Sequence, residues 1–254
     1  MFMVAFMLAV LLLAILTNGV RLDLQLRHRL ESPSPSFPLG TDDLGRDVLS
    51  CLISGTAISL LVSLLVVLLT AALGIVAGMA SGLSGGAVDA VFMRLADIIL
   101  SFPGLLLMIA LVAFRGQGFL NLIIALSCTN WVETARMVRG IVLAQRQKEF
   151  ILAARSYNAS SSRIVFHHLL PIVSPLVVVQ ATLGMSTVIV AESSLNFLGL
   201  GLDPRIPTLG QMIDAGRGHL FDRPQLIILP GAILVLLIMA FHFLGEGLRG
   251  LWRE

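Results

Sequence analysis

The sequence predicts an all-α, polytopic membrane protein with about six transmembrane helices. Hydrophobic residues make up 57% of the 254 residues and charged residues 13%, whereas an ordinary globular chain is about one quarter charged. The mean hydropathy is +0.94. No charged residue occurs between Cys51 and Val88, and glycine, which lets transmembrane helices approach closely, occurs 23 times. A soluble domain of this length could not bury so much apolar surface.

Six segments approach the length of about 20 apolar residues that crosses a bilayer as a helix. They are 1–20, 56–80, 92–114, 118–136, 170–191 and 225–245. We interpret 1–20 as a first helix and not as a cleaved signal peptide, because Met1–Leu16 lacks a basic start and an obvious small-residue cleavage site. The polar connectors between the segments are 21–50, 81–91, 115–117, 137–169 and 192–224.

The orientation in the membrane follows from the basic residues of the connectors, which accumulate on the cytoplasmic side. Connector 137–169 has one acid, Glu149, and these basic residues: Arg139, Arg146, Lys148, Arg155 and Arg163. Connectors 21–50 and 192–224 mix both signs of charge. We therefore expect a multi-pass protein of the inner, cytoplasmic membrane, with 137–169 and both termini in the cytoplasm.

The second predicted helix has a stripe of glycines, Gly74, Gly78 and Gly82, which share one helix face. Such a stripe lets another helix backbone approach closely. Packing within the chain and contact with another subunit are both open from the sequence. In the third predicted helix, Arg94 and Asp97 are one turn apart and predict a structural ion pair.

The stretch EFILAARSYNASSSRIVFHHLLP, Glu149–Pro171, predicts a helix–turn–helix across the inner membrane face. Its first nine residues have a helix-forming composition. Their apolar strip is Phe150, Ile151, Ala153 and Ala154. Asn158 suits the left-handed conformation that ends a helix, and the following serines provide N-caps for a second short helix.

This element has two interpretations from its residues alone. It either docks a partner protein, for which the alanine pair leaves room, or it holds basic residues against anionic lipid headgroups. Both interpretations are open at this point.

The connectors on the outer side also contain candidate functional residues. The segment GTDDLGRD, Gly40–Asp47, combines turn residues with alternating charge. It is either an outer-surface element or a helix cap with local Asp–Arg pairing, and both can hold. Glu192, at the predicted end of the fifth helix, either lines a pathway or marks the membrane interface.

Five motifs of the chain together resemble the dipeptide/oligopeptide/nickel permeases of ABC importers, specifically their C-type subunit. The motifs are LGTDDLGRDVLS (Leu39–Ser50), MRLADIILSFPGLLL (Met93–Leu107), ARMVRG (Ala135–Gly140), the helix–turn–helix (Glu149–Pro171) and SLNFLGLGL (Ser194–Leu202). The resemblance covers nearly the full length, and the helix–turn–helix is similar to the family's EAA loop, which docks in a groove of the ATPase. Asn158 replaces the glycine of that loop, and Leu152 replaces its acidic residue.

The resemblance implies one permease domain, 1–254, with a first helix (1–20), an outer segment (21–55) and a permease core (56–250) that includes the EAA loop 149–171. The implied partners are a homologous second permease, two ATPase subunits, an extracytoplasmic substrate-binding protein and the lipid bilayer, and no nucleic acid. The residues expected to couple to the ATPase are Glu149, Ala153, Ala154, Arg155, Asn158 and Arg163. Those expected in the pathway or at the outer face are Asp42, Asp43, Arg46, Asp47 and Glu192.

The chain lacks the motifs of an ATPase or of a metal enzyme. Its single lysine, Lys148, does not follow the glycines of a phosphate-binding loop, so we expect ATP and Mg²⁺ to bind to partner ATPases and no cofactor in this chain. Histidines and cysteines show no metal-ligand spacing, so no metal site is expected. The alternatives are a self-contained secondary transporter or channel, which would need intramembrane charges and usually internal repeats, and a membrane enzyme.

Overall fold

The computed structural model describes residues 26–251, and within this range it is an all-α bundle, as predicted. The helices are α1 (Val48–Ser84), α2 (Gly86–Leu100), α3 (Gly104–Arg115), α4 (Phe119–Gln145), α5 (Glu149–Ser156), α6 (Ser161–Phe197), α7 (Leu209–Gly216) and α8 (Gln225–Leu251). Single 3₁₀ turns lie at Leu26–His28 and Arg217–His219. The predicted first helix, 1–20, lies outside the described residues.

Helix α1 is longer than the predicted 56–80 at both ends. Asp47 caps its start, where the carboxylate accepts a hydrogen bond of 3.0 Å from the backbone N–H of Ser50. The helix ends at Ser84 because Gly85 and Gly86 both have positive φ angles, of 62° and 52°. Hydropathy alone missed the first two turns, 48–55, since they contain two serines among their apolar residues.

The glycine stripe of α1 packs against α4 of the same chain. A Cβ atom added to Gly74 would lie 2.6 Å from Thr134 Cβ, and one added to Gly78 would lie 2.6 Å from the carbonyl oxygen of Ala135. A Cβ atom added to Gly82 would likewise lie close to Val142. The contacting residue numbers therefore increase together along both helices, so α1 and α4 run parallel. Of the two interpretations left open, packing within the chain is the one that the structure shows.

The predicted third span, 92–114, is not one continuous helix. It is broken into α2 and α3, whose axes differ by 91°. The break lies immediately before α3, at Pro103, which has no N–H to donate and disfavours helical geometry at the preceding residue. The predicted pair of Arg94 with Asp97 is also wrong, because Asp97 accepts a hydrogen bond of 2.6 Å from Arg136 of α4.

Three described helices, α1, α6 and α8, are long and apolar enough to cross a membrane, and the bent pair α2–α3 makes four if it is one span. Helix α4 has 27 residues, or about 40 Å at 1.5 Å per residue, which is also long enough. Helix α4 lies beside α1 along its length. Its polar residues lower its mean hydropathy below that of α1, α6 and α8. Its end at Gln145 lies well beyond the predicted 136.

Helix α6 joins two elements that the sequence analysis separated. It runs without interruption from the predicted cytoplasmic loop to Phe197, and the predicted boundary near Pro171 lies inside it. The wide π-helical turn Ile164–Leu169 ends two residues before this proline, which cannot donate a helix hydrogen bond. The outer boundary moves from 191 to 197, so Glu192 lies within the helix.

The connectors gather at two opposite ends of the bundle. At the long-connector end (26–47, 116–118 and 198–224), the N–H of Gly118 donates to the carbonyl of Gly201 over 3.1 Å. The Arg223 side chain there donates to Ser32 over 3.1 Å. At the short-helix end (residue 85 and 146–160), Arg146 donates to the carbonyl of Gly82 over 3.2 Å. This grouping agrees with the alternation of connectors that the sequence predicts.

Candidate functional site

Helix α5 is fixed to the short-helix end of the bundle mainly by one buried apolar side chain. Ile151 is fully buried in a cluster with Val138 and Val142 of α4 and with Ile164 and Leu169 of α6. The rest of the predicted apolar strip is not buried with it: Phe150 is 40% exposed, Ala153 is exposed and Ala154 is half-buried. Ile151 is therefore the buried anchor of α5, and the Phe150 ring also lies 6.2 Å from the ring of His168 of α6, while Leu152 and Ala153 face outward.

The turn after α5 has the geometry that the sequence predicts. Asn158 adopts a left-handed conformation with φ 57°, and the N–H of Ala159 closes the helix on the carbonyl of Ala154 over 3.0 Å. The Ser160 hydroxyl then caps α6 by accepting a hydrogen bond of 3.3 Å from the N–H of Arg163. The helix–turn–helix is confirmed, but its second helix is the start of a membrane helix and not a separate short one.

The outward surface of this element is apolar and aromatic, although it lies in a basic, polar part of the chain. We define the exposed α5 face by Phe150, Leu152, Ala153 and Tyr157. Leu152 is 49% exposed, and Tyr157, the single tyrosine of the chain, is 90% exposed. The polar residues Glu149, Asn158 and Arg163, all predicted for ATPase coupling, are exposed at its margins. Arg155 lies in the last turns of α5.

Glu192 is a fully buried carboxylate that is surrounded by hydrogen-bond donors. Ser59 of α1 donates to its Oε2 over 2.9 Å, Ser193 donates to the same oxygen over 3.1 Å, and Asn196 donates to its Oε1 over 2.5 Å. The Oδ1 of Asn196 accepts the N–H of Leu202 over 2.9 Å, which ties the long connector to α6. With both oxygens engaged, this side chain joins α1, α6 and the connector; it does not face an open cavity.

The acidic segment Gly40–Asp47 is largely occupied with its own turn. The Asp42 carboxylate accepts hydrogen bonds from the side chain of Arg46 (2.7 Å) and from the N–H of Leu44 (2.9 Å), and Arg46 is 7% exposed. Asp47 caps α1. These contacts match the interpretation of a helix cap with local pairing.

Asp43 is the member of this segment that reaches beyond it. His219 Nε2 lies 3.6 Å from Asp43, and its Nδ1 lies 3.2 Å from Asp222. The hydrogen bond from His219 lowers the pKa of Asp222. The imidazole thus links Gly40–Asp47 to the 198–224 connector at the long-connector end.

A polar groove between α1, α4 and α6 is the feature that the sequence analysis missed. It has a volume of about 170 Å³. The polar side chains that line it are Thr70, Asn130, Glu133, Thr134, Gln180 and Thr187. Gln180 donates a hydrogen bond of 3.3 Å to the carboxylate of the exposed Glu133. The signal available in the sequence was a single acid inside the predicted apolar span 118–136, where a charge is costly and often functional.

The chain matches a family of membrane transport components along most of its length. Residues 74–251 match the model of the family described as "binding-protein-dependent transport system inner membrane component". A dipeptide transport system permease protein of Alkalihalophilus pseudofirmus is 34% identical over 96% of this chain and 81% of its own length. A nickel transport system permease protein of Escherichia coli K12 is 37% identical over 89% of this chain and 82% of its own length.

A solved structure has the same fold. A chain of a methionine ABC transporter in an inward-facing conformation aligns with a TM-score of 0.65 at 21% identity. The alignment covers 80% of this chain and 96% of that one.

Proposed function

This chain belongs to the family of binding-protein-dependent transport system inner membrane components, and from that premise we propose that it is one permease subunit of an ATP-driven ABC importer. With a homologous second permease it forms the translocation pathway. Two partner ATPases bind ATP and Mg²⁺ and hydrolyse the ATP, and an extracytoplasmic binding protein delivers the cargo. The dipeptide and nickel permeases among its relatives suggest peptides or nickel chelates as the substrate class.

The observation that carries this proposal is the exposed α5 face. Apolar and aromatic side chains that are enriched in protein interfaces stand out from a basic segment there, with Tyr157 90% exposed. Anionic lipid headgroups attract basic side chains but do not explain an exposed alanine beside a defined turn. We assign this face to a groove of the partner ATPase, with Arg155 and Arg163 as its polar contacts.

The continuity of α6 supplies a route for coupling. ATP-driven movement of the docked ATPases displaces α5 and its turn, and α6 transmits this displacement because it is helical from Ser161 to Phe197, including the π-helical turn Ile164–Leu169. Ile151 holds α5 against α4 and α6, so the displacement acts on both helices. The middle of α6 lines the polar groove, and tilting of α6 therefore alternates the access to that groove.

The proposed orientation puts the short-helix end in the cytoplasm. The exposed basic residues Lys148 and Arg163 lie at this end, in agreement with the positive-inside tendency. Helix α8 begins at the long-connector end and crosses back, so its C-terminal end is cytoplasmic in this orientation. The predicted helix 1–20 adds one crossing and puts the N-terminus on the same side.

The test is co-purification of this chain with its candidate ATPases from membranes. We expect Tyr157→Ala combined with Ala153→Arg to abolish ATPase capture, because the change removes an exposed aromatic ring and adds a charge where a groove must close. Phe221→Ala is the matched control, since Phe221 is an aromatic residue that is 99% exposed at the opposite end. This control should retain the ATPases.

Two results would contradict the proposal. One is equal capture of the ATPases by both variants and the wild type. The other is cargo uptake by the purified chain alone, without ATPases, which would identify a self-contained secondary transporter or channel. Size-exclusion profiles of both variants in detergent verify that each is folded.

A further inference from the structure

Glu133 is an acidic side chain near the middle of a membrane helix that the fold leaves exposed. A charge at this depth costs several kcal/mol unless it faces water, a polar partner or the interior of an assembly. Within the described residues its carboxylate has one hydrogen bond, the 3.3 Å contact from Gln180, which is at the long end of the normal range. Most of the hydrogen-bonding capacity of Glu133 therefore remains available to another molecule.

The surroundings of Glu133 favour water and positive charge. The groove volume of about 170 Å³ is far more than one water molecule needs. The oxygen-bearing side chains of Glu133, Asn130, Thr70 and Thr187 belong to residues that line it, and no arginine, lysine or histidine is among the described residues that line it. A carboxylate with hydroxyl and amide oxygens around it attracts a cation and repels an anion.

The number of ligands distinguishes between kinds of cation. A bare divalent metal ion is normally held by several carboxylate, imidazole or thiolate groups, and no cluster of three such groups occurs in the described residues. A single carboxylate with neutral oxygens suits an ammonium group, which carries one positive charge and donates three hydrogen bonds.

We propose that the polar groove is a water-filled part of the translocation path, and that Glu133 in it attracts the ammonium group of passing cargo. This inference rests on the proposed function, because it assigns the groove to the path that the importer opens. Gln180 holds the carboxylate toward the groove from α6, the helix that begins at the ATPase-docking turn. Movement of α6 therefore changes the distance between the two side chains.

A cysteine placed in the groove tests the proposal without knowledge of the cargo. Thr187 is exposed and lines the groove, so Thr187→Cys serves as the reporter in a Cys128→Ala background. Cys51, the other native cysteine, is fully buried and is kept. The probes are two water-soluble methanethiosulfonates of similar size, one with a quaternary ammonium and one with a sulfonate. Their rates of reaction are measured on the assembled transporter in membranes.

We expect the ratio of cationic to anionic rates at the Thr187→Cys reporter to fall by about tenfold when Glu133 is changed to Gln. The isosteric Glu133→Gln change removes the charge and keeps the shape, so the effect isolates electrostatics. Phe221→Cys, at the long-connector end, is the control position, because Phe221 is 99% exposed. Its ratio of cationic to anionic reaction rates should not depend on residue 133.

Each other outcome overturns the inference. If neither reagent reacts with the Thr187→Cys reporter, the groove is closed by lipid or by the second permease and is not an aqueous path. If both reagents react but the ratio is the same with Glu133 and with Gln, Glu133 does not select positive charge.

Capture of the ATPases is measured on the same membranes. Retained capture with a failed reporter test rejects the groove assignment alone, whereas lost capture in the wild type rejects the proposed function.

Discussion

Glu133 of α4 and Glu192 of α6 are acidic residues in the interior of membrane helices, and their surroundings differ in burial and in hydrogen bonding. Glu192 is 0% exposed and has three donors within 3.1 Å, from two helices. Glu133 is exposed, borders a groove and has one donor at 3.3 Å. Gln180, the partner of Glu133, is twelve residues before Glu192 on α6, or about 18 Å along the helix. One helix therefore contacts both acids at different depths.

This difference shows what a charge inside a membrane protein indicates. A buried acid whose oxygens are all engaged stabilises the contact between helices, and removal of one partner leaves the others unsatisfied. An acid that is exposed at membrane depth gains little from its own fold. Its cost must be offset by something outside the fold, which for a permease is water, cargo or a second subunit.

Replacement of the two acids by leucine gives the largest expected contrast. Glu192→Leu leaves the hydroxyls of Ser59 and Ser193 without their acceptor, at about 1–3 kcal/mol for each unsatisfied group. The Asn196 amide loses one of its two acceptors and keeps the backbone carbonyl of residue 192. We expect this variant to be strongly destabilised and scarce in the membrane. Glu133→Leu should be as abundant as the wild type, because it replaces an exposed charge with an apolar side chain. Membrane abundance and thermal unfolding in detergent measure both effects; similar abundance of the two variants would remove the distinction.

A matched pair of asparagines extends the contrast to the neighbours of each acid. Asn196→Ala removes a donor to Glu192 and the acceptor of the Leu202 N–H, and we expect a loss of about 1–3 kcal/mol. Asn130 lines the groove, and its amide donates within its own helix, to the Leu126 carbonyl over 2.6 Å. Asn130→Ala should cost less than about 0.5 kcal/mol. Thermal unfolding in detergent measures the difference, and equal losses would mean that the groove is as tightly integrated as the Glu192 cluster.

Reversal of the charge sharpens the assignment of Glu133. Glu133→Lys should invert the preference of a groove cysteine from cationic to anionic reagents, by about tenfold in the rate ratio, because the sign of the local potential changes. Because Glu133→Lys keeps a charge at this position, an inverted preference would result from the sign of the charge and not from the absence of one. Reaction rates at Thr187→Cys provide the measurement. An unchanged preference would show that residue 133 does not control the potential of the groove.

Much of the fold followed from composition and periodicity, because hydropathy, glycine spacing and turn residues are local signals. The left-handed Asn158 and the cap at Ser160 were predictable because their geometry depends on a few neighbouring residues. The bend at Pro103 was not anticipated, although proline carried the signal. The continuity of α6 through Pro171 could not be predicted, because a π-helical turn accommodates that proline through tertiary packing.

The candidate sites were less accessible to the sequence, because they depend on contacts between distant residues. The sequence shows Glu192 as an acid near a predicted helix end, but its partner Ser59 is 133 positions away. Spacing predicts a pair of Arg94 with Asp97, whereas Asp97 pairs with Arg136 on another helix. Glu133 is not distinguished by the sequence, because a single acid in an apolar segment gives no indication of whether it is buried or exposed.

Hydroxyl groups provide the smallest and most selective test of the comparison. Ser59 donates to Glu192 across the interface between α1 and α6, and such interhelical hydrogen bonds contribute about 0.6 kcal/mol on average and at most about 1.7 kcal/mol. Ser59→Ala should therefore lower the stability in detergent by about this amount, while Ser193 and Asn196 still satisfy the carboxylate. Thr187→Val keeps the shape of an exposed groove residue and should leave the stability unchanged. If Thr187→Val costs as much as Ser59→Ala, the groove hydroxyl stabilises the fold, and the groove is then a packed interior and not an open path.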